Sequence, residues 1–218
     1  MTAPEPVLQQ WVYSARAGTQ ATVLPDGCRD LIIRVGPGGR ASLEYSTLDD
    51  RSRRVRLGAG ERLVSFRLRP GANIPAAVLG QLQMDRALSC DHERMRMCVL
   101  DAIRAHVTLN EEPIAAILAT TSVKEAARHL GVSPRTLHRY LVASTGRAPS
   151  FWFDLARARR TLAGLATSAD LASVALMAGY ADQAHMTRSF RFRFGVTPAR
   201  FRMNEELMRL AAQPGFAG

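Results

Sequence analysis

Apolar and polar positions follow two different rhythms along this chain. Between about residues 20 and 70 the apolar residues come in short β-branched or alternating runs: "CRDLIIRV" (Cys28–Val35), "ASLEYS" (Ala41–Ser46) and "ERLVSFRLRP" (Glu61–Pro70). Such runs predict strands. In the last of them Leu63, Ser65, Arg67 and Arg69 fall on one face, and Val64, Phe66 and Leu68 on the other. Turn signals separate the runs at Pro25–Gly27, Gly36–Gly39 and Gly58–Gly60. After Gly71 the texture changes. Ala76–Val107 holds few β-branched residues and predicts helix, and from Asn110 onward the chain reads as helices punctuated by Gly and Pro. The expectation is an α+β chain in four parts: a small β-rich domain over 1–75, a helical connector over 76–109, an all-α domain over 110–205 and a tail over 206–218.

The helical part contains an internal duplication. "VKEAARHLG" (Val123–Gly131) aligns with "LASVALMAG" (Leu171–Gly179). Leu137 and Leu141 follow the first glycine by six and ten residues; Met186 and Phe190 follow the second by seven and eleven. Each copy closes with Gly-x-x-Pro and an aromatic, "GRAPSF" (Gly146–Phe151) and "GVTPARF" (Gly195–Phe201). Each copy therefore predicts helix, tight turn, helix, which is the helix-turn-helix unit. In the first, Ser122 and Glu125 are spaced as a capping box, Gly131 suits a left-handed stop, and Ser133 with Pro134 opens the next helix. In the second, Asp170 and Asp182 are the caps and Gly179 the stop.

At 100° per residue, Leu137 and Leu141 mark the packed side of the second helix in copy one. Arg135 and Arg139 fall opposite, with Thr136 and His138 on the shoulders. In copy two Met186, Phe190 and Phe194 form the packed stripe, and Ala184, His185 and Arg188 face away with Arg191 beside them. Gln183 and Thr187 fall closer to the packed side. Arg193 sits near the apolar stripe, where it would snorkel from the core edge or bind phosphate, and Phe192 falls on the outer side without an evident role. An outward face of Arg, His, Thr and Gln suits a major groove: Arg donates two parallel bonds to guanine O6 and N7, and Gln pairs with adenine N6 and N7.

Charge sharpens this picture. The 218 residues carry a formal net charge of +10, and of 29 basic residues only Lys124 is lysine. Residues 111–205 alone hold 13 basic and 7 acidic residues, a net +6. A chain this basic is attracted to polyanions, nucleic acid above all. Cys28, Cys90 and Cys98 have neither disulfide-framework nor zinc-site spacing. No apolar run approaches a membrane span, and "MTAPEPVLQQ" has no signal-peptide pattern, so a cytoplasmic location without membrane partners is expected.

Ser122–Arg202 closely resembles the DNA-binding domain of AraC/XylS-type transcription regulators. The resemblance rests on "LGVSPRTLHRYL" (Leu130–Leu141) and "AGYADQAHMTRSFRFRFGVTPARFR" (Ala178–Arg202), with Met186 where the family carries Phe or Leu. It implies seven helices with two helix-turn-helix units bridged by a long helix, here "SFWFDLARARRTLAGL" (Ser150–Leu165). Two recognition helices would enter successive major-groove segments of double-stranded DNA. The contacts it implies are Arg135, Thr136, His138 and Arg139, then Gln183, Ala184, His185, Thr187 and Arg188, with Arg191 alongside. Arg157, Arg160 and the regions of Ser133 and Thr197 are implied as backbone contacts. More loosely, "LPDGCRDLII" (Leu24–Ile33) and "RLRPGA" (Arg67–Ala72) are similar to the small cupin-like sensor domains that precede such modules. That likeness implies an effector site or a dimerisation surface, and 75 residues are short for a full barrel. The function implied is a transcription regulator, activator or repressor, with DNA as partner and RNA polymerase, a small-molecule effector and a second copy as candidate partners. No cofactor is implied.

Other readings compete. A metal-dependent cupin enzyme wants clustered His and carboxylate, and none of His92, His106, His129, His138 and His185 lies in the predicted strands. Cys90 and Cys98, eight residues apart, would lie about 12 Å apart along a continuous helix and cannot share an ion. A DNA-repair alkyl acceptor needs a cysteine cluster that Cys28 alone does not supply. Cys28 as an oxidant sensor requires an exposed, low-pKa thiolate. Arg34, Arg67 and Arg69 would suit an acidic ligand, although charged strand faces are usually solvated. The main alternative is an effector-independent DNA-binding protein whose front domain only dimerises or holds a partner protein.

Overall fold

The computed structural model describes residues 6–85, 91–167 and 170–215. Cys90 and the first five residues lie outside them. The chain divides into two units: 1–22, 28–47 and 54–110 form the first, and 23–27, 48–53 and 111–218 the second.

The first unit is built on an antiparallel sheet of four strands in the order β1-β6-β3-β4. These are β1 (Val7–Ser14), β3 (Arg29–Val35), β4 (Ala41–Tyr45) and β6 (Arg62–Leu68). β2 (Thr19–Val23) and β5 (Arg53–Leu57) form a separate pair. Alternation places Leu31, Ile33, Val64, Phe66 and Leu68 on one face, as the period of two requires. That face is covered by α1 (Ala76–Met84) and α2 (His92–His106), whose Met95, Val99 and Ile103 fill the space over the sheet. The helices expected as a connector thus pack onto this unit's sheet and contribute to its core. A short antiparallel pair, β7 (Ala72–Asn73) with β8 (Thr108–Leu109), joins the two ends of the segment that carries these helices.

The opposite face is not a solvated charged surface. β6 lies between β1 and β3, so Ser65 and Arg67 are buried there. Burial demands partners: Asp30 Oδ1 accepts from Ser65 Oγ at 3.2 Å and from Arg67 Nε at 3.3 Å. Arg34 likewise donates to Glu61 at 2.9 Å and lies 3.7 Å from Glu44. Two of the three arginines suggested for an acidic ligand are therefore committed to internal carboxylates. Cys28 is buried, which removes the exposed thiolate that an oxidant sensor requires, and Cys98 packs beside the core.

The second unit is helical. α3 (Glu111–Ala119), α4 (Val123–His129) and α5 (Pro134–Thr145) precede the 19-residue α6 (Pro149–Thr167). Then come α7 (Leu171–Met177), α8 (Gln183–Phe194), α9 (Pro198–Arg202) and α10 (Glu205–Ala211), the last within the expected tail. α6 is the spine. On one side Trp152, Phe153, Leu155 and Ala156 join Ile117, Ala126, Ala127, Leu137 and Leu141 in a core. On the other, Ala158, Leu162 and Leu165 join Val174, Met186, Phe190, Phe194 and Phe201 in a second. No described helix is long and apolar enough to cross a membrane.

Candidate nucleic-acid interface

Each recognition helix owes its placement to local chemistry. In the first half Ser122 Oγ accepts from the Glu125 N–H at 3.2 Å and opens α4. The carboxylate of Glu125 reaches back one residue further than a capping box predicts. It accepts from the N–H and hydroxyl of Thr121, at 3.0 and 3.2 Å, rather than from Ser122. These bonds, the backbone N–H first, hold the Glu125 carboxyl below its ordinary range. Gly131, at φ 66°, turns the chain, and Val132 N–H closes the stop on Ala127 O at 2.9 Å. Ser133 Oγ then accepts from the Thr136 N–H at 3.1 Å, and Pro134 starts α5.

The second half repeats the scheme. Asp170 caps α7, accepting from the backbone of Ala172 and Ser173 and from the Ser173 hydroxyl. The hydroxyl is the main reason that its carboxyl lies below the ordinary range. Gly179 turns at φ 86°, and Tyr180 N–H bonds Ala175 O at 3.0 Å. Asp182 Oδ1 accepts from His185 N–H at 2.6 Å and opens α8. Both recognition helices end at a left-handed glycine, Gly146 and Gly195.

With Leu137 and Leu141 turned fully inward, α5 presents Arg135, Thr136, His138 and Arg139 to solvent. The Thr136 hydroxyl is shared with Ser133 Oγ at 2.8 Å, so it belongs to the cap as well as to the outer surface. α8, packed down by Met186, Phe190 and Phe194, exposes Gln183, Ala184, Arg188 and Arg191. Gln183 is more open than its helical position suggested. His185 and Thr187 are half-buried; the His185 ring stands edge-on to Tyr180, with centroids 5.2 Å apart.

The bridging helix uses its arginines internally. Arg157 donates to Asp154, and Arg160 donates to Leu118 O at 3.1 Å. Arg193 neither snorkels nor reaches a surface phosphate. It is 5% exposed, donates to Asp50 O at 3.3 Å and lies 3.8 Å from Asp154. Burial pulls its pKa down, and the Asp154 charge opposes this. Phe192 gains the account that the sequence lacked. Half-exposed, it lies under the guanidinium of Arg51, 3.9 Å from the ring centroid. Arg51 and the pairing of Asp154 with Arg193 left no local signal in the sequence, because these partners lie 141 and 39 residues away.

Residues 126–204 match the family of helix-turn-helix domains. Residues 126–204 are therefore a helix-turn-helix domain. Over 94 residues this chain is 36% identical to the HTH-type transcriptional regulator RipA of Corynebacterium glutamicum. That match covers 43% of this chain, and the chain spans 28% of the relative's length. Among solved structures, a Chromobacterium violaceum transcriptional regulator with an AraC-type DNA-binding domain matches 48% of this chain and 93% of its own, at 26% identity and a TM-score of 0.39. ToxT from Vibrio cholerae with bound unsaturated fatty acid matches 93% of this chain and 97% of its own, at 10% identity and a TM-score of 0.45. The matched stretch contains the two capped, outward-facing helices described above, and among the described residues no cluster of His, Cys, Asp or Glu could hold a metal ion.

Proposed function

We propose that this chain is a sequence-specific DNA-binding transcription regulator and not an enzyme. α5 and α8 enter successive major-groove segments on one side of the duplex. Arg135, Thr136, His138 and Arg139 read one block of bases, and Gln183, Ala184, His185, Thr187 and Arg188 the other. Arg191 and Ser133 lie at the phosphates; Arg157 and Arg160 contribute there through the donors that their internal bonds leave over. The observation that carries this reading is the repeated one: two helices of equal design, each capped at its start, each inward-packed by a long apolar stripe, each presenting arginines one turn apart or nearly so. A solvated surface needs no such duplication.

The first unit is read as an effector or dimerisation domain. Its sheet is already covered by Met95, Val99 and Ile103, with Val78, Leu79 and Leu82 beside them. That filling favours the second reading, in which this domain pairs with another copy or a partner protein, RNA polymerase included, over one in which it encloses a small molecule. The test of the main reading is capture of sheared genomic DNA by the full chain, followed by sequencing. Retained fragments should share a motif and be released steeply by salt. Random retention with a flat salt response would overturn it.

A further inference from the structure

The compact unit that holds the helix-turn-helix domain is not made of one continuous stretch of chain. Residues 48–53, which follow β4 and lead into β5, belong to the same unit as the helices. Leu48 is 4% exposed and is a member of the core formed by Ile117, Leu137, Leu141 and Trp152. Arg147, just past α5, donates to Leu48 O. Two residues on, Arg193 of α8 donates to Asp50 O at 3.3 Å. Ser52 N–H returns a bond to Arg193 O at 2.7 Å, and the Arg51 guanidinium lies over the Phe192 ring. Arg53 Nε bonds Asp49 Oδ2 at 2.7 Å and pins the segment's own ends together.

One arginine from each helix-turn-helix half therefore holds a carbonyl of the same short segment. The two arginines also flank one ring: Arg147 lies 4.8 Å and Arg193 5.9 Å from the Phe151 centroid. Like charges converging on one ring repel, and Asp154, 3.8 Å from Arg193, is the acid that the structure sets against them there. The carbonyls of residues 48 and 50 supply acceptors that the helices do not. Without the segment the first half has a hole where Leu48 sits, and the buried Arg193 loses an acceptor.

We propose that Leu48–Arg53 is a strap that fixes the separation of the two helix-turn-helix halves, and with it the spacing of the two base blocks the protein accepts. Arg51, exposed and stacked on Phe192, adds a cation to the flank of α8. The spacing claim rests on the DNA-reading function; the strap's mechanical role does not. In the full chain, residues 48–52 would be replaced by a Gly/Ser stretch of equal length, with Arg51→Ala as a milder variant that removes only an exposed side chain. Spin labels carried by non-canonical residues at Val142 and Ala199, one in each half, report the separation. The account predicts one narrow distance distribution in the native chain, a clear broadening in the replacement and a smaller one in Arg51→Ala. If the replacement does not fold, Arg51→Ala alone decides. Unchanged distributions would overturn the strap. On DNA pools carrying both blocks at varied spacing, the preference for one spacer over its one-base-pair neighbours, about tenfold where both helices read bases, should fall towards unity. A preference that survives in a variant with a broadened distance would overturn the link to spacing. A native chain that selects no blocks would instead sink the DNA-reading function, with the distance measurement still deciding the strap.

Discussion

The two helix-turn-helix halves are built to one template and finished differently. α4 and α7 are seven residues each, α5 and α8 twelve. The same pair of turn bonds follows Gly131 and Gly179. Yet the first half packs leucines against Trp152, while the second packs three phenylalanines: Phe201 stands edge-on to Phe190 and Phe194 at 5.3 and 5.4 Å, and those two are tilted against each other at 4.5 Å. The second half alone buries an arginine from its recognition helix. Caps, glycine and an apolar stripe are enough to form the motif; particular residues then lock each copy onto the spine α6 and the strap.

The sharpest way to break the comparison is to hollow out one core. Phe190→Ala should cost ~3–5 kcal/mol and Leu141→Ala ~2–5 kcal/mol. If α6 couples the halves, each change lowers a single melting transition of the helical unit. Two separate transitions in calorimetry would show that the halves fold independently. Next come the outward arginines. Arg135→Ala and Arg188→Ala should each weaken specific binding by ~1–3 kcal/mol, as read in titrations of the selected DNA, without lowering the melting temperature. The turns come third. Gly131→Ala and Gly179→Ala should both cost about 1–2 kcal/mol, since each forces a side chain into the left-handed region. A Cβ meets nothing within 4 Å at Gly131 and only the Arg157 side chain at 3.8 Å at Gly179, so the two costs should match. Unequal costs in denaturant titrations would mean that the turns differ more than their bonding suggests.

The smallest effect is on pH. The Glu125 and Asp170 carboxyls sit below their ordinary range in the folded chain, so their contribution is present above the unfolded pKa and is lost as pH falls through the folded one. Amide exchange at the starts of α4 and α7 should quicken together in acid relative to the rest of their helices, once the intrinsic pH dependence is removed. Uniform behaviour would remove these caps from the account.

The same comparison explains what the sequence could disclose. Nearly everything that makes the motif is short-range: Ser133 to Thr136, Asp182 to His185, Gly131 two residues before Ser133. Such spacings are legible without a structure. The strands were less so. β3, β4 and β6 carry alternating apolar residues, but β1, "VLQQWVYS", and β5, "RRVRL", are largely exposed or half-buried, without a fully buried alternating face, and gain their strand state from partners far along the chain. Arg193 and Phe192 went against simple amphipathicity for one reason. Asp50, Arg51 and Asp154 lie far from them in sequence and make burial of a charge and exposure of a ring affordable. Arg160 has its acceptor, the carbonyl of Leu118, 42 residues away, while the Asp154 that Arg157 meets lies within one helical turn.

The central claim is that the two halves read separate blocks of one site. The most direct measurement compares DNA selected from sheared genomic fragments by the native chain, by Arg135→Ala and by Arg188→Ala. The account predicts two blocks about one helical turn apart for the native chain, with definition lost in one block for the first variant and in the other for the second. Loss of the same block in both variants, or a motif untouched by either, would contradict it.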